Sequence, residues 1–137
     1  MNIYNVNDQN FVNSEMFQKF LKQNPGRGSL RIRAFAANQA IPIEGLRVII
    51  SKNIDGNRVI FFEGYTNESG VIEKIKLPTP KLDVNNLSVP NKATYNISTT
   101  YIPNNLNNNY NVDMYEDVCV VQDINIVPRT NFEMRDL

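Results

Sequence analysis

Few side chains in this sequence are equipped for chemistry, and their types limit what they could do. Asp113, Glu116, Asp117 and Asp123 fall within eleven positions of one another. Carboxylates so grouped suit a hard cation or the two sides of a glycosidic bond. The spacing is not the Asp-x-Asp-x-Asp-Gly of a calcium loop, so a solvated loop running into a strand edge is the preferred reading, and no metal ligand is assigned. Gly26-Arg27-Gly28 has the glycines of a phosphate cradle without a helix behind it, and reads as a flexible entry into a strand. Cys119, inside Val118-Cys119-Val120-Val121, reads as a buried core thiol. The chain has no His and one Cys. It therefore holds no Ser-His-Asp or Cys-His set, no His or multi-Cys zinc site and no internal disulfide. No nucleophile stands beside a base, so neither an enzyme nor a cofactor is expected.

What remains is recognition. Tyr101, Asn105, Asn108, Tyr110 and Tyr115 lie in and around an Asn-rich stretch, where rings could stack on sugars and amides could hydrogen-bond them. Phe11, Met16, Phe17, Phe20 and Leu21 form an apolar stripe suited to a protein partner.

These residues need elements to position them. A chain of 137 residues, 42% hydrophobic and 20% charged with no net charge, is long enough for one core and too short for two. Residues 1–13 show neither helical nor strand period and read as an extended arm. Ser14 stands at an N-cap position ahead of Met16, Phe17, Phe20 and Leu21, which share one face of a short helix that Asn24-Pro25-Gly26 ends. From Ser29 the period changes to two. Leu30, Ile32 and Ala34 alternate with Arg31 and Arg33, and Leu46, Val48 and Ile50 follow the same rule up to an Asp55-Gly56 hairpin turn. Val59–Tyr65 is apolar on both faces, which suggests a central strand or one covered by the helix. Val71–Leu77 follows the turn at 67–70, and Leu77-Pro78-Thr79-Pro80 ends it before a polar connection over 81–93. Tyr95, Ile97, Thr99 and Tyr101 make another one-sided strand. Residues 103–111, with six Asn, read as a loop that packs no core, and Val118–Val127 reads as a last strand stopped at an edge by Pro128. The expected fold is an all-β, Ig-like or prealbumin-like sandwich of about seven strands with one short α-helix. Its parts are an arm and helix over 1–27, the sandwich over 28–128 and a tail over 129–137.

The order Gly28-Ser29-Leu30-Arg31-Ile32, Ile41-Pro42-Ile43-Glu44-Gly45-Leu46-Arg47-Val48, Thr66-Asn67-Glu68-Ser69-Gly70-Val71, Ile75–Pro78 and Tyr95-Asn96-Ile97 resembles the carboxypeptidase regulatory-like domain. That family is a transthyretin-like β-sandwich, and single modules similar to this one occur in spore-forming Gram-positive bacteria and their phages. The resemblance spans roughly residues 28–127. It departs where Tyr101-Ile102-Pro103 stands in place of a Gly-Tyr pair and where the 81–93 connection runs long. It implies an accessory, adhesive or structural module without catalysis.

Charge is uneven: residues 1–92 carry twelve Lys/Arg against eight Asp/Glu, and residues 93–137 carry two against six. Opposite halves could attract in neighbouring copies. Without a basic block or aromatic-basic interleaving, nucleic acid is not an expected partner. The first ten residues hold neither a basic start nor an apolar run, and no stretch reaches membrane-span length. The expectation is therefore a chain made in the cytoplasm without a signal peptide and built into a virion, tail-like particle or spore layer. There it would act as a structural subunit of a phage tail or baseplate, joined to protein neighbours, copies of itself included, through its arm. The alternative is an accessory module that binds cell-wall glycan beside a peptidoglycan or cortex hydrolase.

Overall fold

The computed structural model describes residues 2–127 except 38, 87 and 89, so the expected tail over 129–137 and the stop at Pro128 lie outside the described residues. In chain order the elements are β1 (Ile3–Asn5), α1 (Gln9–Val12), α2 (Glu15–Gln23), β2 (Gly26–Ala36), β3 (Ile41–Pro42), β4 (Arg47–Ile54), β5 (Asn57–Tyr65), β6 (Val71–Thr79), β7 (Ala93–Tyr101), β8 (Leu106–Met114) and β9 (Cys119–Asn125). They form two sheets. The larger has the order β1-β5-β4-β7-β8, and in the smaller β2 pairs with β3, β6 and β9. Seven of these strands are seven residues or longer, as the alternation predicts for an all-β sandwich. The core between the sheets contains Leu30, Ile32, Leu46, Val48, Ile50, Leu77, Tyr95, Ile97, Met114 and Ile124. A polar anchor within it is the Tyr95 hydroxyl, which donates to the Pro78 carbonyl at 2.5 Å. Burial pushes that phenol well above its ordinary pKa.

The turns that carry the family resemblance have a mechanical role. Gly45 and Gly70 both adopt positive φ, as turns at those points require. The buried Thr66 hydroxyl accepts from Leu46 N at 2.9 Å and donates to Ile43 O at 2.6 Å. Ala34 N donates to Gly70 O and Ile43 N donates to Ala34 O, so both turns are tied to β2. Between β4 and β5, Asp55 and Gly56 have φ of 51° and 80°, the two positive values of a type I′ hairpin.

A register shift between Ile50 and Ser51 explains why β5 reads as apolar on both faces. It puts an extra residue into β5, so that Phe61 and Phe62 both turn toward the core side. The Phe62 ring lies over Gly64, where any Cβ would come within 2.7 Å of it.

The N-terminus is not an extended arm. Ile3–Asn5 pairs in parallel with Arg58–Ile60, Asp8 caps the one-turn α1, and Ser14 caps α2 by accepting from Phe17 N. Phe11, Phe17, Phe20, Ile54 and Val59 make a second cluster, joined to the main core through Phe61. The rings of Phe17, Phe20 and Tyr95 lie 6.0, 5.8 and 5.2 Å from that of Phe61. Apolar residues without a clear period became a folded segment because they cover the end of the large sheet that the small sheet leaves open.

The Asn-rich stretch is also not a loop. Residues 106–114 form β8, antiparallel to β7 from Ala93↔Met114 to Tyr101↔Leu106. Its inward positions, Leu106, Tyr110, Val112 and Met114, alternate with Asn107, Asn109, Asn111 and Asp113. Ladder bonds to β7 outweigh the poor strand propensity of Asn.

Candidate functional site

Of the expected protein-contact set, Phe11, Phe17 and Phe20 are buried within this chain. They can reach a neighbour only if α2 leaves the sheet. Met16 and Leu21 are half-buried and line surface grooves. The groove at Leu21, about 250 Å³, runs between the helices and β6 over Phe17, Phe61 and Pro78, with Arg27 and Lys76 on its rim.

The expected sugar-binding set does not converge. Tyr110 and Asn108 have the inward parity of β8, and Tyr110 packs on the core together with Tyr101. Burial raises the Tyr110 pKa. Asn105 is an exposed residue in left-handed conformation at the turn before β8, and Tyr115 lies beyond its other end. Sequence reasoning passed over the opposite parity. On the outer face Asn96 pairs with Asn111, Ser98 with Asn109 and Thr100 with Asn107. The signal was the odd-numbered run 107, 109, 111, visible once residues 106–114 are read with a period of two.

The carboxylates disperse. Asp113 accepts from the Thr94 hydroxyl at 2.7 Å and from Lys92 at 3.1 Å, which hold its pKa below the usual carboxylate value. Asp123 takes a two-pronged pair of bonds from Arg33, at 2.7 and 2.8 Å, with the same effect on its pKa. Glu116 accepts from Leu82 N at 2.8 Å. Among the described residues no three acidic, His or Cys side chains come together as a metal site. Gly26 and Gly28 are the start of β2, where the chain passes close to the β8–β9 connection. A Cβ on Gly28 would stand 2.6 Å from Tyr115 O.

Cys119 is exposed, contrary to the expectation of a core thiol. β9 runs parallel to β2, with Ser29 opposite Cys119 and Phe35 opposite Asn125. Ser29 N donates to Val118 O and Ile126 N donates to Phe35 O. Even-numbered residues of β9 therefore bond to β2. The backbone groups of Cys119, Val121, Asp123 and Asn125 point to the opposite edge, which has no partner among the described residues. Val118 and Val121 are 41% and 48% exposed there.

No helix of the described residues is long and apolar enough to cross a membrane. No protein-family model matches the sequence, and no curated protein matches it. Among solved structures the chain is similar to 5-hydroxyisourate hydrolase of Klebsiella pneumoniae, at 16% identity and a TM-score of 0.48, over 72% of this chain and 90% of that one. This corrects the expectation that the chain is not an enzyme: the similar structure is named a hydrolase, and that expectation is not kept. At that identity the likeness carries no activity across. The chain is an all-β sandwich of two sheets.

Proposed function

We propose that this chain is a structural subunit that joins copies of itself within a larger particle of the tail or baseplate kind, and that the joint is the edge of β9 that no other described residue pairs with, instead of the N-terminal segment. The observation that carries the reading is that edge. It offers the outward backbone groups of four alternate residues, with Val121 exposed beside them and Val118 just before the strand. Edges that must stay single are usually blunted by Lys, Pro or a bulge. Cys119–Asn125 carries none of these, and its one charge, Asp123, is neutralised by Arg33. The resemblance to single modules of spore-forming Gram-positive bacteria and their phages supports the same setting.

Antiparallel pairing of β9 with β9 of a second copy, Val121 opposite Val121, would set Cys119 against Asp123 and bring no like charges together. The test is solution mass by light scattering over a micromolar to millimolar series. Wild-type chain is expected to self-associate, and Val121→Lys to be monomeric with an unchanged unfolding midpoint. A wild type that stays monomeric throughout, or a Val121→Lys chain that associates as well as wild type, overturns the reading.

A further inference from the structure

We infer that the outer face of the large sheet, at β4, β7 and β8, is a binding surface for an uncharged polysaccharide. This is a different surface from the β9 edge, and it stands whether or not the chain self-associates.

The register builds the surface in rows. Asn107, Thr100, Arg47 and Tyr65 lie side by side across four strands, and so do Asn109, Ser98, Ile49 and Glu63. The next row begins Asn111, Asn96 and ends as a surface at Ser51, which is buried and whose hydroxyl accepts from Arg58 Nε at 3.3 Å. Parity places all of them opposite the core: Tyr95, Ile97 and Thr99 on β7 are buried, and so are Val48 and Ile50 on β4. The helices pack against Ile54, Val59 and Phe61, which share the face of Lys52 and Ile50. They therefore lie on the core side as well, and no described element covers the outer face.

The β7–β8 half is uncharged over three rows and is bordered by Asp113, which Lys92 pairs. Six neighbouring side chains, Asn96, Ser98, Thr100, Asn107, Asn109 and Asn111, are amides or hydroxyls without a charge among them, in a chain of which 20% is charged. A face that only needs solvation is ordinarily met with Lys and Glu, whose long side chains would lose rotamer freedom against a ligand. Short amides and hydroxyls lose little. Each both donates and accepts, which matches the hydroxyls of a sugar and discriminates against ionic ligands. Some are already oriented: the Thr100 hydroxyl donates to Asn107 Oδ1 at 2.8 Å, which turns the Asn107 amide nitrogen away from it, and Asn96 Nδ2 donates to Tyr110 O at 3.3 Å. Such preorganisation lowers the cost of binding.

At the end of the first row the Tyr65 ring is 56% exposed, beside an Arg47 held by Glu63 at 2.6 Å. An exposed aromatic face with a polar tip is suited to the apolar face of a pyranose. Three rows span about 13 Å along the strands and four strands about 14 Å across them. An open sheet surface of that size suits a polymer lying across it more than a small molecule, whose sites are concave.

The test is native affinity electrophoresis of the full chain in gels containing hydroxyethylcellulose, glycol chitin, soluble starch or glucomannan, with cosedimentation on peptidoglycan stripped of anionic polymers. Wild-type chain is expected to be retained by at least one of these neutral polymers, with retention insensitive to salt. The double variant Asn109→Lys, Asn111→Lys should lose at least tenfold in apparent affinity and Tyr65→Ala severalfold, both with unchanged unfolding midpoints, since all three side chains are exposed. Retention by none of the polymers overturns the inference. So does retention that salt abolishes, or that the double lysine variant keeps.

Discussion

Phe17→Ala separates a docked N-terminal segment from a free connector. Phe17 is 4% exposed, with ring centroids 4.9 Å from Phe11, 5.8 Å from Phe20 and 6.0 Å from Phe61. Truncating such a side chain removes its transfer free energy and leaves a cavity, together costing about 3–5 kcal/mol. The lower part of that range applies, about 3 kcal/mol, because the groove beside Leu21 lets the helix settle inward. A domain of this size has roughly 5–15 kcal/mol in total, so the loss is large but the chain still folds. With a urea slope of about 1.5–2 kcal/mol per molar, the midpoint should fall by about 1.5–2 M. The assay is equilibrium urea unfolding followed by far-UV circular dichroism and by tyrosine fluorescence, with Glu15→Ala, exposed on the same helix, as the comparison variant. A loss below about 1 kcal/mol would refute the docking argument, because an alanine at a free connector changes little. Two separated transitions would refute the claim that Phe61 makes the two clusters one cooperative unit.

Three further outcomes follow from single contacts. Thr66→Val leaves Leu46 N and Ile43 O without their buried partner and should cost about 2–3 kcal/mol in chemical unfolding, with Thr66→Ser restoring most of it. Gly28→Ala drives a Cβ against Tyr115 O and should destabilise by about 1–3 kcal/mol, whereas alanine at exposed Glu68 should not. Asp113 and Asp123 have folded-state pKa values depressed, by Thr94 then Lys92 and by Arg33 respectively. Their stabilisation is therefore present above the ordinary carboxylate pKa and is lost as pH falls through the depressed values. The thermal midpoint should decline on the acid side, modestly because both pairs are solvent-screened, and Asp123→Asn should flatten that decline; an unaltered acid limb would show the ion pair to be without effect.

Alternation determined most of the sandwich. Leu30, Ile32 and Ala34, then Leu46, Val48 and Ile50, then Tyr95 and Ile97, each face the core as the period of two requires, because a strand's side chains have no third direction to take. The turns at Asp55-Gly56 and at 67–70 and the cap at Ser14 are local chemistry, and they form where residue types alone place them. Tertiary structure decided the rest. Whether Phe11, Phe17 and Phe20 serve this chain or another depends on how much of the large sheet the small one leaves bare, a quantity no local pattern encodes. Cys119 faces solvent because β9 joins β2 with the parity that buries Ile124, and parity across strands distant in sequence is a matter of register. The same holds for the outer face. Six amides and hydroxyls on β7 and β8 are scattered in sequence, and only the pairing of Asn96 with Asn111 and Ser98 with Asn109 makes them one surface.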